Sequence, residues 1–454
     1  MSKNPPNYIS TTNACKLCTP LGASLAFKGI EGAVPYLHGS QGCATYMRRY
    51  IISHYNEPID IASSSLSEKH AIYGGGANLK LGLMNVTQKY RPQLIGIATT
   101  CLTETIGDDV KSLLCEYDKE VEGEKPIMIH VSTPSYSGTH MEGFHNAVTS
   151  VVKALAGRDG EQDMGSGVIN ILPGFVSPAD IRYLKEIAAD FPLKATILPD
   201  ISDTMDGAAA EFYEKIQPGG TPISAIAAMN SSVGSIEFGH TMGKDSSGVL
   251  LAEKFGVENT RMPIPMGISA TDTFFDCLSR LSGLPIPEKH QAERGRLVDA
   301  YVDSHKYIYG KKAIVYGEED LVVGLTAFLA EIGVMPVLCA SGGKSGKLAE
   351  MIQQVTADVL PEQPQVHEGM DFYEISEMAE ELAPDLLVGH SKGYPLAQKL
   401  SIPIIRVGFP IHDRMGGQRI LHIGYRGAQQ LFDVVVNACI AKKQSDSPVG
   451  YSYM

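Results

Sequence analysis

A short, strongly apolar run followed by a helical pattern appears along this chain and then restarts twice. LIGIATT at Leu94–Thr100, VINIL at Val168–Leu172 and KKAIVYG at Lys311–Gly317 have the composition of strands buried on both faces. Helical patterns such as RYLKEIAADF and EEDLVVGLTAFLAEIG follow, and further apolar runs, LKATILPD and MPVLCAS, come after them. This β-α-β alternation predicts an α/β fold with parallel sheets and crossover helices. A length of 454 residues suits three domains of ordinary size. The restarts place them at 1–160, 161–300 and 301–454, with the polar stretch GRDGEQDMGSG as the first linker.

Three cysteines stand where such a framework displays chemistry. Cys18 lies in CTPLG, Cys43 in HGSQGCATY and Cys101 in ATTCLTETIGDD, each at the threshold of a predicted helix. Thr19 is a suitable N-cap and Pro20 suits a first turn, so LGASLAFKG should run away from Cys18 as a helix. Gly39 and Gly42 bend the chain before the helical pattern ATYMRRYIISHY. Cys101 closes the LIGIATT strand, at the carboxyl end where ligands of open α/β sheets gather, and GDDV reads as the start of the next helix. Unpaired N–H groups and the helix dipole favour a thiolate at such places.

Soft thiolates select iron-sulfur clusters, zinc or copper(I). Spacing alone leaves several readings open: an iron-sulfur site, a zinc site built on the Cys15-x-x-Cys18 pair, or cysteines that only fill apolar space. No second CxxC and no HxxxH accompanies that pair. Cys115, Cys277, Cys339 and Cys439 lie in apolar helical or strand contexts and are expected in the core.

A formal net charge of −13 argues against a nucleic-acid partner, because a phosphate-binding surface needs a basic excess. No apolar run approaches the roughly 20 residues that span a bilayer. Met1–Ser10 is polar with two prolines, neither a secretory signal nor an anchor, so no membrane association and a cytoplasmic location are expected. Eight cysteines scattered through a chain of this size do not make a disulfide framework, and a reducing compartment keeps thiols available for metal.

CTPLGA, HGSQGCATY, TTCLTETIGDDV, TPSYSGTH and GFPIHDR, in that order, together resemble the beta-type subunit of nitrogenase component 1 and of nitrogenase-like reductases, from about Cys15 to about Ala441. The resemblance implies three Rossmann-like domains of the nitrogenase component 1 type. It implies that Cys18, Cys43 and Cys101 hold half of an 8Fe-7S P-cluster shared with an alpha-type subunit, a 4Fe-4S cluster being the alternative. Thr139 of TPSYSGTH falls where the family's beta subunit has a serine that can ligate the oxidised cluster. The implied partners are the alpha-type subunit, in an α2β2 heterotetramer, and a separate ATP-dependent iron-sulfur reductase.

Under this resemblance the catalytic metal cofactor belongs to the alpha-type partner, and this chain has no catalytic residue of its own. The reaction class is multi-electron reduction, of dinitrogen or of another small molecule such as a methylthio-alkane. The absence of Trp and the GHSKG motif at Gly389–Gly393 depart from the molybdenum type and favour a nitrogenase-like reductase. A rival is the beta-like half of a scaffold on which the catalytic cofactor matures. Beta-like chains of such scaffolds contribute one cluster cysteine, so Cys18, Cys43 and Cys101 together with Thr139 favour the electron-conducting subunit.

Other motifs invite simpler readings. Gly74–Gly76 could cradle an anion or form a flexible turn. SGGKSGK at Ser341–Lys347 fails the phosphate-loop template, which needs Gly at 341 and Ser or Thr at 348, so no nucleotide site is expected. The carboxylates of ISDTMDG have no nucleophile or base beside them and read as a solvated loop. His412, Asp413, Arg414 and His422 follow a buried strand and read as interdomain or intersubunit pairs. Ile201–Ser246 carries no clear pattern, and Lys442–Met454 reads as a loosely attached tail.

Overall fold

In the computed structural model, residues 13–158, 167–209 and 211–449 are described. Their strands form three sheets in which every pairing is parallel. β1 (Ala33–His38), β2 (Ala62–Ser63), β3 (Leu94–Thr99) and β4 (Ile127–Val131) lie in the order β2-β1-β3-β4. β5 (Val168–Leu172), β6 (Lys194–Ile197), β7 (Gly234–Phe238) and β8 (Asn259–Met262) repeat it as β6-β5-β7-β8. β9 (Lys312–Gly317), β10 (Met335–Ser341), β11 (Gln365–Glu368), β12 (Leu386–Gly389) and β13 (Ile404–Arg406) form β11-β10-β9-β12-β13. The fold is thus the α/β class with parallel sheets that the alternation predicts, in the three Rossmann-like sheets that the resemblance implies.

Each sheet reverses its direction of growth once: between β1 and β3, between β5 and β7, and between β9 and β12. At such a switch the following connections leave toward opposite faces, and a crevice opens at the carboxyl ends of the two strands. β1, β3 and β5 are buried along their whole lengths, which is why β3 and β5 read as continuous apolar runs. The largest apolar cluster passes through all three sheets, joining Leu21 and Phe27 to Ile171 and Phe274 and on to Val315 and Phe328.

The patternless stretch Ile201–Ser246 contains β7, and its polar residues conceal it. Glu237 of β7 is buried and accepts from the Ser246 hydroxyl and the Gly248 N–H. The ISDTMDG loop is only partly solvated, since Asp206 pairs with Arg182 and Arg419 and is nearly buried, while Asp203 is exposed. The helix Gly424–Asp446 packs on the helices Gly267–Ser282 and Glu288–Ser304 and runs into the expected tail, so Lys442–Asp446 is helical rather than loose. Most of the predicted first linker, 159–166, and residues 450–454 of the tail lie outside the described residues. Cys277, Cys339 and Cys439 are buried as expected, but Cys115 is exposed on the helix Val110–Glu120. No described helix is long and apolar enough to cross a membrane.

Candidate functional site

The three predicted cysteines stand at the starts of three helices, with Cys18 as an N-cap and Cys43 and Cys101 inside first turns that begin earlier than the sequence pattern suggests. Cys18 is itself the N-cap of the helix Thr19–Lys28, with Pro20 in the first turn. Cys43 is the third residue of the helix Gln41–Tyr55, which follows β1. Cys101 opens its own helix, Cys101–Ile106, directly after β3, and Gly107, Asp108 and Asp109 lead from it into Val110–Glu120, with Asp109 as N-cap. Cys43 and Cys101 therefore flank the β1/β3 switch, the crevice of the first sheet.

Close backbone approach holds them there. A methyl group on Gly39 would meet the Thr100 hydroxyl at 2.1 Å, so the turns after β1 and β3 touch only because residue 39 lacks a side chain. The Thr100 N–H and the Thr103 hydroxyl both donate to the His38 carbonyl, at 3.1 and 2.9 Å. His38 in turn bonds Asp108 through Nε2 and Ser64 through Nδ1, both at 3.0 Å. Asp108 also accepts from the Gly75 N–H, so the anion beside the Gly74–Gly76 turn is the chain's own carboxylate.

Cys18 reaches the same crevice from another direction. Its segment is zipped to TPSYSGTH: the Thr19 N–H donates to Ser135 Oγ at 3.2 Å, the Leu17 N–H donates to His140 Nδ1 at 3.3 Å, and the His140 N–H donates to the Leu17 carbonyl at 3.1 Å. His140 Nδ1 is thus an acceptor, and Nε2 carries the proton toward Glu318 at 2.9 Å. The helix Thr19–Lys28 is buried on every side and crosses His140–Leu155 at backbone contact.

Burial raises the Cys18 thiol above its usual range, the neighbouring Cys101 and Cys43 add to that, and Ser135 hydrogen bonding and the Lys392 charge work against it. The net direction opposes the thiolate that a helix N-terminus alone would favour. A Cys18 thiol held neutral by burial and by its two sulfur neighbours needs a cationic centre to deprotonate, and metal coordination would supply one. Ser40 donates to Cys43 Sγ at 3.3 Å, a hydrogen bond suited to a ligating sulfur. Among the described residues no three His, Cys, Asp or Glu side chains converge to grip a single ion. Cys18, Cys43 and Cys101 would hold an iron-sulfur cluster, which spans more space than one ion, and this all-thiol donor set fits such a cluster better than a lone zinc.

Cys15 looks elsewhere. It is buried, with Sγ 3.6 Å from His390 Nε2 in the crevice of the third sheet, and burial pushes its thiol up to about 12. Ala14 bridges to Asp371 and the Cys15 N–H donates to the Met370 carbonyl, so the chain before Cys18 fills the ground beyond β9, β11 and β12. Thr139 caps the helix His140–Leu155, accepting from the Met141 N–H at 3.1 Å and donating to Glu142. A cavity of about 300 Å³ beyond β9 and β10 is lined by Thr139 and Cys15 but by none of Cys18, Cys43 and Cys101.

Ser135, Ser40 and Lys392 are partners of the site that the sequence did not single out. Ser135 and Ser40 sit inside the quoted motifs, and their serine-before-cysteine or serine-after-proline context was the available signal. Lys392 lies in GHSKG, far from Cys18 in the chain, and no local pattern ties it to the site. Of the interdomain pairs expected around His412–His422, His422 makes one, to Asp180 of the second unit at 2.9 Å, whereas Asp413 pairs locally with Arg406 at 2.7 Å inside the third unit.

The family described as nitrogenase component 1 type oxidoreductase matches residues 18–440. The chain is 34% identical to the nitrogenase molybdenum-iron protein beta chain of Clostridium pasteurianum, over 95% of this chain and 93% of that one. It is 35% identical to the nitrogenase vanadium-iron protein beta chain of Trichormus variabilis, over 97% and 96%. A solved structure described as nitrogenase Cp1 at pH 6.5 superimposes with a TM-score of 0.93 at 31% identity, covering 100% of this chain and 98% of that one.

Proposed function

The chain belongs to the nitrogenase component 1 type oxidoreductase family, and on that premise we propose that it is the beta-type, electron-relaying subunit of a nitrogenase-like reductase complex. Cys18, Cys43 and Cys101 would hold half of an 8Fe-7S P-cluster shared with an alpha-type subunit. The observation that carries this reading is the gathering of three thiols at one sheet switch, with Cys18 and Cys43 half-buried and Cys101 exposed. A graded site of this kind is finished by a partner on its open side. When bound, such a cluster supplies one-electron storage and transfer between an ATP-dependent iron-sulfur reductase and the catalytic cofactor of the alpha-type partner.

The chain's own residues orient and insulate that site. Ser40 and Ser135 direct hydroxyls to sulfur, the His38–Asp108 pair locks the turn that carries Cys43, and His140 fixes the segment before Cys18. Thr139 ligates the oxidised state only by releasing its helix cap. The assembly is an α2β2 heterotetramer in the cytoplasm, and the three units of the chain meet near residues 160 and 300. Similar identity to molybdenum-type and vanadium-type beta chains agrees with a substrate and heterometal determined in the partner.

The test is iron and acid-labile sulfide content with electron paramagnetic resonance on the anaerobically purified complex, wild type beside Cys43→Ala. Signals of an oxidisable P-cluster that vanish in the variant, together with substrate reduction, are expected. A simple cubane signal with a cofactor precursor transferable to another apo-enzyme would make the chain a maturation scaffold instead.

A further inference from the structure

We propose that Lys392 is a positioning residue of the cysteine site, a fixed positive charge that anchors the Cys18 segment and raises the reduction potential of the cluster held there. The inference rests on the electron-relay reading and goes beyond it. Lys392 lies in the short turn Ser391–Gly393 directly after β12, at the switch point of the third sheet. Its Nζ donates to the carbonyls of Ala14 at 2.8 Å and Lys16 at 3.2 Å, one residue to each side of Cys15. The Asn13 side-chain amide donates back to the Lys392 carbonyl at 3.2 Å, so the two segments are joined at both levels.

No carboxylate among the described residues lies within ion-pairing distance of this ammonium, and its two hydrogen-bond acceptors are neutral carbonyls. Burial lowers the Lys392 ammonium from its ordinary range, so its charge is held only with an anionic partner beside it. The Lys16 carbonyl that it holds stands two residues before Cys18, and the two thiols whose charge would act on it are Cys15 and Cys18. Cys15 is a fully enclosed thiol that stays neutral and gives no counter-charge. The compensating charge therefore belongs to the Cys18 side. A cluster held by thiolates becomes more negative on reduction, and a fixed positive charge nearby favours the reduced state; net charge and sulfur environment are what set such potentials.

Two substitutions separate charge from anchoring. Lys392→Gln keeps a donor for the carbonyls and removes the charge, whereas Lys392→Arg keeps the charge. Both are compared with wild type, as complexes with the alpha-type partner, by potentiometric titration followed by electron paramagnetic resonance and by thermal unfolding. In the Gln complex the reduced-to-oxidised ratio at a fixed potential should fall about tenfold, a shift of about 59 mV to more negative potential for a one-electron step. The Arg complex should titrate with wild type even if it melts lower. A Gln complex titrating with wild type, whatever its melting temperature, would leave Lys392 as a staple only and overturn the inference. Should the Gln complex fail to assemble, an Arg complex whose potential departs from wild type overturns it equally. A wild-type complex without cluster iron would instead overturn the electron-relay reading itself.

Discussion

Gly22 packs its Cα against the backbone of His140, where a methyl group would stand 1.6 Å from the carbonyl oxygen. The contact is reciprocal one turn along, since a methyl group on Gly143 would stand 1.8 Å from the Thr19 carbonyl oxygen. Overpacking a core costs about 1–3 kcal/mol where side chains can yield. Here the obstacle is backbone, so Gly143→Ala should reach at least the upper part of that range, about 3 kcal/mol. Denaturant unfolding measures it, and a variant as stable as wild type would mean that the two helices separate freely.

Thr139 separates helix capping from ligation. Its hydroxyl accepts from Met141 and its backbone N–H is held by Glu142, a complete capping box. Loss of such a cap costs about 1 kcal/mol. Thr139→Ala should therefore melt lower while the complex keeps its iron, and Thr139→Ser should melt with wild type. An Ala variant with unchanged melting but depleted iron would move the role of the hydroxyl from the helix to the cluster.

His54 makes stability depend on pH. Burial pushes its imidazole down to about 3, while Nδ1 accepts the Ile411 N–H at 2.9 Å. The unfolded value is about 6.5. A folded value below the unfolded one gives stability that is present above the unfolded pKa and is lost as pH falls toward the folded one. Wild type should lose about 1.4 kcal/mol per pH unit from this group below about pH 6.5. Denaturation midpoints at pH 7, 6 and 5 should show a gap between wild type and His54→Gln that narrows toward low pH; a constant gap would refute the assignment.

The elements that the sequence displayed most openly were those made of one kind of residue. β3, β5 and β9 are apolar runs, and buried parallel strands have no polar face to break the run. β7 stayed hidden because GSIEF carries Glu237 into the interior, where Ser246 and Gly248 satisfy it, and only tertiary partners make such a carboxylate acceptable. Cys115 was misplaced because the helix Val110–Glu120 buries Val110 and Tyr117 and leaves the thiol on its open face. At the candidate site, Cys18, Cys43 and Cys101 are legible through their places at helix starts. Ser135 and Lys392 did not, because what makes them matter is a contact with a segment more than a hundred residues away.

The stitching of Asn13–Lys16 into the third sheet also has a temporal consequence. Cys15 meets His390 across 375 positions of chain, so the strand that leads into Cys18 cannot settle until the last unit has been synthesised and has formed β12. Residues made within the first moments of translation are completed by residues made near its end. A nascent chain stopped before Gly389 should leave Cys15 open to thiol reagents, and one released at full length should close it. On the proposed reading, loading of the cysteines with a cluster would then fall after the ribosome has finished with the chain, because a half-made subunit leaves the segment before Cys18 unanchored.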